Sequence, residues 1–170
     1  GLAYQYLGSY DEALEYFFKA LAALEALREK SRIAKVTGNI GNVYLELRSY
    51  NKALEYYGKA LAIHEELGEK SGAAIVTGNI GNVYSYLCSY DKALEYYGKA
   101  LAVHEELGEQ SSIARVMGNI GNVYQYLGSY DSALEYYTKS LAAHEALGME
   151  GDTAIIRGYL GALYANEEFE

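Results

Sequence analysis

A period of 40 residues runs through the chain and constrains its fold more than any other feature. The segment GNIGNVY recurs unchanged at 38–44, 78–84 and 118–124, and no insertion interrupts the spacing. The segments 31–70 and 71–110 agree at about 31 of 40 positions. Such self-similarity is typical of tandem duplication or consensus design, and it predicts a stack of equivalent structural units.

Each period contains the pattern of two amphipathic helices. Val36, Ile40 and Val43 lie on one face of a first helix, and Ala53 and Tyr57 lie on one face of a second helix. The connections are short, so the helices pack antiparallel, and a single pair cannot bury its apolar face alone. The sequence therefore predicts an all-α fold, a right-handed superhelical solenoid of antiparallel helix pairs with about nine helices.

The turn residues predict where these helices begin and end. The expected N-caps of the second helices are Asn51, Asp91 and Asp131. The glycines expected just after the second helices are Gly68, Gly108 and Gly148. The residues expected to start the following first helices are Ser71, Ser111 and Asp152.

The whole chain, 1–170, is expected to be one solenoid fragment. The expected repeats are 1–30 with a partial first helix, 31–70, 71–110, 111–150, and a partial fifth repeat at 151–170. Neither end shows a polar capping repeat, so we expect the chain to come from a longer array.

Charge and cysteine content narrow the class of protein. A net charge of −9 argues against binding to nucleic acid or to an anionic membrane, because both need clustered Lys and Arg. No apolar stretch approaches the roughly 20 residues that cross a bilayer. The single cysteine, Cys88, cannot form an internal disulfide, so we expect a reducing, cytoplasmic setting.

Several recurring positions resemble the tetratricopeptide repeat family over essentially the whole chain. They are the small residues Gly41, Gly81 and Gly121, the aromatics Tyr44, Tyr84 and Tyr124, the connecting Tyr50, Tyr90 and Tyr130, and the alanines Ala53 and Ala60. The long period and the GNxY string are similar to the subclass of Pins-type spindle adaptors and kinesin light chains. The resemblance implies a protein–protein interaction scaffold that binds a partner peptide or segment on its concave groove.

First helices line the concave surface of such a solenoid, so their non-core residues are the candidate binding residues. Asparagines 42, 82 and 122 stand where the family has its groove asparagines. Amide side chains could pair with the main chain of an extended peptide. They could instead bond a neighbouring helix or water. The other candidates are Asn39, Asn79 and Asn119 at the groove edge, Lys35 and Arg115 as scattered positive charges, and Tyr86 and Tyr126 at the groove mouth.

Glycines 38, 78 and 118 also lie in the first helices. Glycine lowers helix stability by roughly 1 kcal/mol, so each needs a reason to be there. The glycines could clear space for a ligand backbone, or they could allow the helices to pack closely.

No catalytic apparatus, cofactor site or metal site is predicted. His64, His104 and His144 are separated by whole helix pairs, much farther apart than the metal–ligand bonds of about 2 Å allow. We expect these histidines to be partly exposed. The partner is therefore expected to be a protein or peptide, with end-to-end self-association, a peptide-sensing module of a larger regulatory protein, or a designed scaffold as alternatives.

Overall fold

The computed structural model describes residues 9–167, without the side chains of 150, 152 and 162–167, and its regular elements there are all α-helices. They are α1 Tyr10–Ala26, α2 Lys30–Glu46, α3 Tyr50–Glu66, α4 Lys70–Tyr86, α5 Tyr90–Leu107, α6 Gln110–Tyr126, α7 Tyr130–Ala146 and α8 Glu150–Glu167. We call α2, α4, α6 and α8 the first helices and α1, α3, α5 and α7 the second helices. The all-α prediction is confirmed, while the partial helix expected within residues 1–8 lies outside the described residues.

The helices stack in sequence order. Each helix packs against the next one along the chain, and the turns between them are short. In addition, α2 contacts α4 and α4 contacts α6. The first helices therefore lie side by side along one surface, and the helix pairs form a solenoid.

Close packing within each pair depends on a tyrosine facing a glycine. Tyr97 of α5 is 2% exposed and lies against Gly81 of α4. A Cβ atom at Gly81 would lie only 2.8 Å from two carbons of the Tyr97 ring. Gly41 and Gly121 meet Tyr57 and Tyr137 in the same way. The recurring glycine is thus required by the ring of the second helix.

The turns after α3, α5 and α7 contain the predicted glycines in a left-handed backbone conformation. Gly68, Gly108 and Gly148 have φ values of 67°, 70° and 68°. The Glu69 amide donates to the His64 carbonyl and the Gly68 amide donates to the Glu65 carbonyl. This pair of bonds is a Schellman motif, which needs the left-handed residue that glycine supplies.

The predicted N-caps are wrong by two residues. The caps of the second helices are Ser49, Ser89 and Ser129, so Asn51, Asp91 and Asp131 lie in the first turn. The Ser49 carbonyl already accepts the first helical bond from Ala53, which makes Ser49 the cap. The first helices likewise begin earlier, at Lys70, Gln110 and Glu150 rather than at Ser71, Ser111 and Asp152.

None of the helices in the described range combines the length and the hydropathy that crossing a bilayer needs.

Candidate partner-binding groove

A groove of about 880 Å³ opens between the ends of the first helices α4, α6 and α8. We call it the central groove. Its lining residues are Asn82, Ser85, Tyr86, Cys88, Tyr90, Tyr97, Asn119, Asn122, Gln125, Tyr126, Tyr130 and Tyr159. The structure thus brings together the predicted candidates Asn82, Asn119, Asn122, Tyr86 and Tyr126.

The asparagines at 42, 82 and 122, which we call the asparagine ladder, bond through their carbonyl oxygens to buried tyrosines. The Tyr97 hydroxyl donates to Asn82 Oδ1 at 2.6 Å, and Asn119 Nδ2 donates to the same oxygen at 3.1 Å. Tyr57 and Tyr137 donate to Asn42 and Asn122 in the same way, each at 2.6 Å. Asn79 lies near Asn42 with a longer contact of 3.4 Å.

These bonds determine which hydrogen bonds Asn82 can still make with a ligand. Burial raises the pKa of the Tyr97 hydroxyl, as it does at Tyr57 and Tyr137, so each hydroxyl stays protonated and acts as a donor. Because Asn82 Oδ1 accepts two bonds, its capacity as an acceptor is used. The Nδ2 group of Asn82 makes no hydrogen bond among the described residues. The ladder can therefore donate to a ligand, and its oxygens hold the helix pairs together.

Stacked tyrosines form the rim of the central groove. Tyr86 stacks on Tyr50 with ring centroids 6.2 Å apart and 13° between the planes. Tyr126 stacks on Tyr90 at 5.9 Å and 9°. Tyr86 and Tyr126 are 64% and 70% exposed, so each pair holds an accessible ring in a fixed orientation. We call these the tyrosine pairs.

The remaining candidates lie apart from the central groove. Arg115 is exposed on α6 and lines two smaller cavities, one between α4 and α6 and one between α6 and α8. Asn79 lines the first of them. Lys35 lines a different cavity beside Glu69, whose pKa is lowered by hydrogen bonds from Ser31 and His64 and, to a smaller extent, by the charge of Lys35. Asn39, half-buried on α2, lines none of these cavities.

Some groove residues were not predicted as candidates. Gln125 Oε1 lies 2.7 Å from the Tyr137 hydroxyl, and the Tyr159 ring stacks on Tyr137 at 5.4 Å. The sequence carried a signal for Tyr159, because it stands one period after Asn119 and replaces the asparagine there. Tyr90 and Tyr130 were recognised only as connecting aromatics, although their rings also face the groove.

The first-helix glycines differ in how tightly they are packed. A Cβ atom at Gly118 would lie 3.1 Å from Ile156 and 3.2 Å from Ser140 Oγ, so helix packing accounts for this glycine. At Gly38 and Gly78 the nearest atoms would be 3.9 Å and 3.7 Å away, which is ordinary contact. Packing therefore does not require glycine at these two positions.

The prediction that the three histidines are partly exposed is wrong. His64, His104 and His144 are 3%, 0% and 3% exposed, because they face the junction with the next first helix. His104 Nδ1 lies 2.6 Å from Glu109 Oε2, and His64 lies 2.7 Å from Glu69. No group of three potential metal ligands was found within the part of the chain that the structure describes.

The profile of the tetratricopeptide repeat family matches the chain in overlapping segments at residues 1–66, 32–106, 72–146 and 112–169. The chain belongs to the tetratricopeptide repeat family. No curated protein sequence matches it significantly. The finer resemblance to Pins-type adaptors and kinesin light chains stays a prediction.

Solved structures share the fold of this tetratricopeptide repeat protein. BtubC (BKLC) from P. vanneervenii is similar with a TM-score of 0.82 and 24% identity, over 95% of this chain and 68% of BtubC. The apo form of RapI gives a TM-score of 0.84 and 22% identity, over 95% of this chain and 59% of RapI. The Rap conjugation gene regulator of plasmid pLS20, in complex with the Phr* peptide, gives 0.76 and 22%, over 82% and 39%. The chain thus spans less than two thirds of each of the two Rap proteins, and these likenesses establish the shared fold.

Proposed function

We propose that this protein is an interaction scaffold whose central groove binds an extended peptide segment of a partner protein. One observation carries the proposal. Oδ1 of Asn82 and Oδ1 of Asn122 each accept from a buried tyrosine at 2.6 Å, and their Nδ2 groups, which make no hydrogen bond among the described residues, lie beside a groove of about 880 Å³.

An extended peptide is the ligand that best matches this arrangement. Its main-chain carbonyls repeat along one direction and accept hydrogen bonds without regard to side-chain identity. Asn82 and Asn122 stand one repeat apart in α4 and α6, so they could engage two carbonyls of the same segment. The exposed rings of Tyr86 and Tyr126 would provide apolar contacts, which often contribute strongly to peptide binding.

Family and charge support the same ligand class. Tetratricopeptide arrays bind on their concave surface, and a similar structure, the pLS20 Rap regulator, holds the Phr* peptide. The net charge of −9 would favour the approach of a neutral or basic segment over an acidic one.

The test compares peptide-display selections on the wild type and on the double variant Asn82→Asp with Asn122→Asp. Aspartate keeps the oxygen that Tyr97 and Tyr137 need, and it removes the NH₂ donor. We expect the selected peptides to bind this variant roughly 10–100-fold more weakly, since each lost hydrogen bond is worth about 1 kcal/mol.

The control carries the same two added charges elsewhere. Ala62→Asp with Ala102→Asp places them on exposed positions of α3 and α5. This control should bind like the wild type. Equal selection by the wild type and by the groove variant, with both proteins still helical, would overturn the proposal.

A further inference from the structure

Tyrosine and amide side chains make up most of the central groove. Its lining in the described part of the chain consists of six tyrosines, three asparagines, one glutamine, one serine and one cysteine. This lining contains no Asp, Glu, Lys, Arg or His. A charged side chain entering the groove would lose hydration without meeting an opposite charge in that lining. The groove therefore favours an uncharged segment.

The hydrogen-bonding groups that the groove offers to a ligand are mainly donors. Asn82 Oδ1 already accepts from Tyr97 and from Asn119, and the Nδ2 group of Asn82 remains for a ligand. Burial, and then the charge of Glu46, raise the pKa of Tyr86, so this exposed hydroxyl stays protonated and can donate as well. A matching segment presents free carbonyl groups and few N–H groups.

A proline-rich segment in the polyproline II conformation has this combination of groups. Proline has no backbone N–H, and the polyproline II helix makes no internal hydrogen bonds, so its carbonyls are free to accept. An α-helix uses most of its carbonyls internally, and a β-strand presents as many N–H groups as carbonyls. Because Asn82 Oδ1 is already used twice, the groove matches polyproline II better than either alternative.

The tyrosine pairs offer flat apolar faces in fixed orientations. The exposed ring of Tyr86 lies at 13° to the ring of Tyr50, and that of Tyr126 at 9° to the ring of Tyr90. Each exposed ring is thus held by its partner before a ligand arrives, which reduces the entropy lost on binding. Proline-rich segments bind to aromatic-lined grooves of this kind.

The spacing of the first helices matches one turn of polyproline II. This conformation rises about 3.1 Å per residue with three residues per turn, so one turn spans about 9 Å. Packed helices lie about 8–10 Å apart, and α4 and α6 are in contact, with Asn119 Nδ2 3.1 Å from Asn82 Oδ1. Tyr86 and Tyr126 occupy equivalent positions one period apart. Residues three apart in the segment would therefore meet equivalent tyrosines.

We propose that the central groove binds a proline-rich segment in the polyproline II conformation, with prolines three residues apart packed on Tyr86 and Tyr126. The inference rests on the proposed function, since it names the class of segment that the same groove binds. It assigns the choice of segment to the tyrosine pairs, and main-chain binding to the asparagine ladder.

The test selects peptides from a random dodecamer display library on the wild type and on the double variant Tyr86→Leu with Tyr126→Leu. Leucine keeps apolar bulk and removes the flat ring, and both positions are exposed, so the variant should stay folded by circular dichroism. Tyr16→Leu with Phe18→Leu is the matched control, because it removes two exposed rings of α1 outside the groove. We expect the wild type and the control to select prolines three residues apart, and the groove variant to bind these peptides about 10–100-fold more weakly.

Substitutions in a selected peptide test the three-residue spacing. Each spaced proline changed to alanine should weaken binding about 3–10-fold, whereas alanine at the intervening positions should have little effect.

The single cysteine reports where the peptide binds. Cys88 is exposed and lines the central groove, so a bound peptide should slow its alkylation by iodoacetamide in a saturable manner. The groove variant should need correspondingly more peptide for the same protection.

The outcomes separate this inference from the proposed function. Selected peptides that lose binding to the variant Asn82→Asp with Asn122→Asp, but carry no spaced prolines, would overturn the inference alone. Proline-rich peptides that bind the tyrosine variant as tightly as the wild type, or leave the alkylation of Cys88 unchanged, would do the same. Failure to select any groove-dependent peptide would overturn both.

Discussion

Under the proposed function, the amide of Asn82 has two roles. At Asn82, Oδ1 accepts from Tyr97 at 2.6 Å and from Asn119 at 3.1 Å, and Nδ2 is left for a ligand. The same side chain therefore supports helix packing and offers a donor to a ligand. For this reason alanine is a poor probe of the ladder, since it would also leave the buried Tyr97 hydroxyl unpaired.

The contact between glycine and tyrosine in each helix pair predicts a large effect of one methyl group. Gly81→Ala would place Cβ 2.8 Å from carbons of the Tyr97 ring, in a position that cannot relax without moving α5. We expect a loss of about 1–3 kcal/mol in the free energy of unfolding, measured by urea denaturation.

Gly98→Ala is the matched control for that measurement. It makes the same change in an exposed helical position with open space, so it should raise stability by about 0.5–1 kcal/mol. Equal effects of the two changes would contradict the packing explanation.

Cys88 occupies a left-handed backbone position that glycine holds one repeat later. Its φ is 55°, and Gly128 has a φ of 71°. Cys88→Gly removes the steric cost of a Cβ in this conformation, so we expect a gain of about 1 kcal/mol in thermal or urea unfolding. Ala102→Gly, within helix α5, should instead lower stability, and a loss at both sites would show that the turn does not favour glycine.

At the scale of the helices, the sequence predicted the type of each element better than its ends. Apolar spacing and turn glycines identified the helix pairs correctly. Asp91 looked like a cap because its side chain suits that role, but the Ser89 carbonyl accepts the first helical bond. Cys88, in the turn before Ser89, has a left-handed backbone conformation. Side-chain preferences do not predict this conformation, so they do not predict where the next helix begins.

Glu109 lies at the junction between two helix pairs, and its contacts there predict that the stability of the fold depends on pH. Its folded-state pKa is lowered, by hydrogen bonds from Ser71 and then His104, below the usual value of 4.5. Ionised Glu109 therefore stabilises the fold above about pH 4.5, and this contribution is lost as the pH falls through the folded-state pKa.

Glu109→Gln tests this dependence while keeping an oxygen for the His104 Nδ1 proton. Thermal unfolding between pH 6 and pH 3 should show a shallower loss of stability for the variant than for the wild type, within roughly that pH range. Glu105→Gln, an exposed change of the same charge, should behave like the wild type. A shallower slope in both variants would attribute the effect to net charge.

Across the whole molecule, repetition made the fold predictable and left the site only partly so. The period revealed a solenoid and the row of asparagines on its first helices. It could not reveal that the Tyr97 hydroxyl donates a hydrogen bond to Asn82 Oδ1, because that contact depends on how closely α5 approaches Gly81. Nor could it reveal the burial of His104, which depends on the next repeat covering the ring.

The repeated sequence also did not predict that the repeats contribute unequally to the central groove. The central groove is formed by α4, α6 and α8, whereas Lys35 and Asn39 of α2 lie away from it. Tyr159 contributes a ring where the preceding repeat has Asn119. Binding should therefore be concentrated toward the later repeats.

The most direct measurement is an NMR titration of the isotopically labelled protein with a display-selected peptide, following the side-chain amides of the ladder. We predict that the Nδ2 signals of Asn82 and Asn122 shift strongly and saturate with the peptide, while that of Asn39 stays nearly unchanged. Saturable binding that leaves the Asn82 and Asn122 amides unmoved, and shifts only residues outside the lining of the central groove, would contradict a peptide site in that groove.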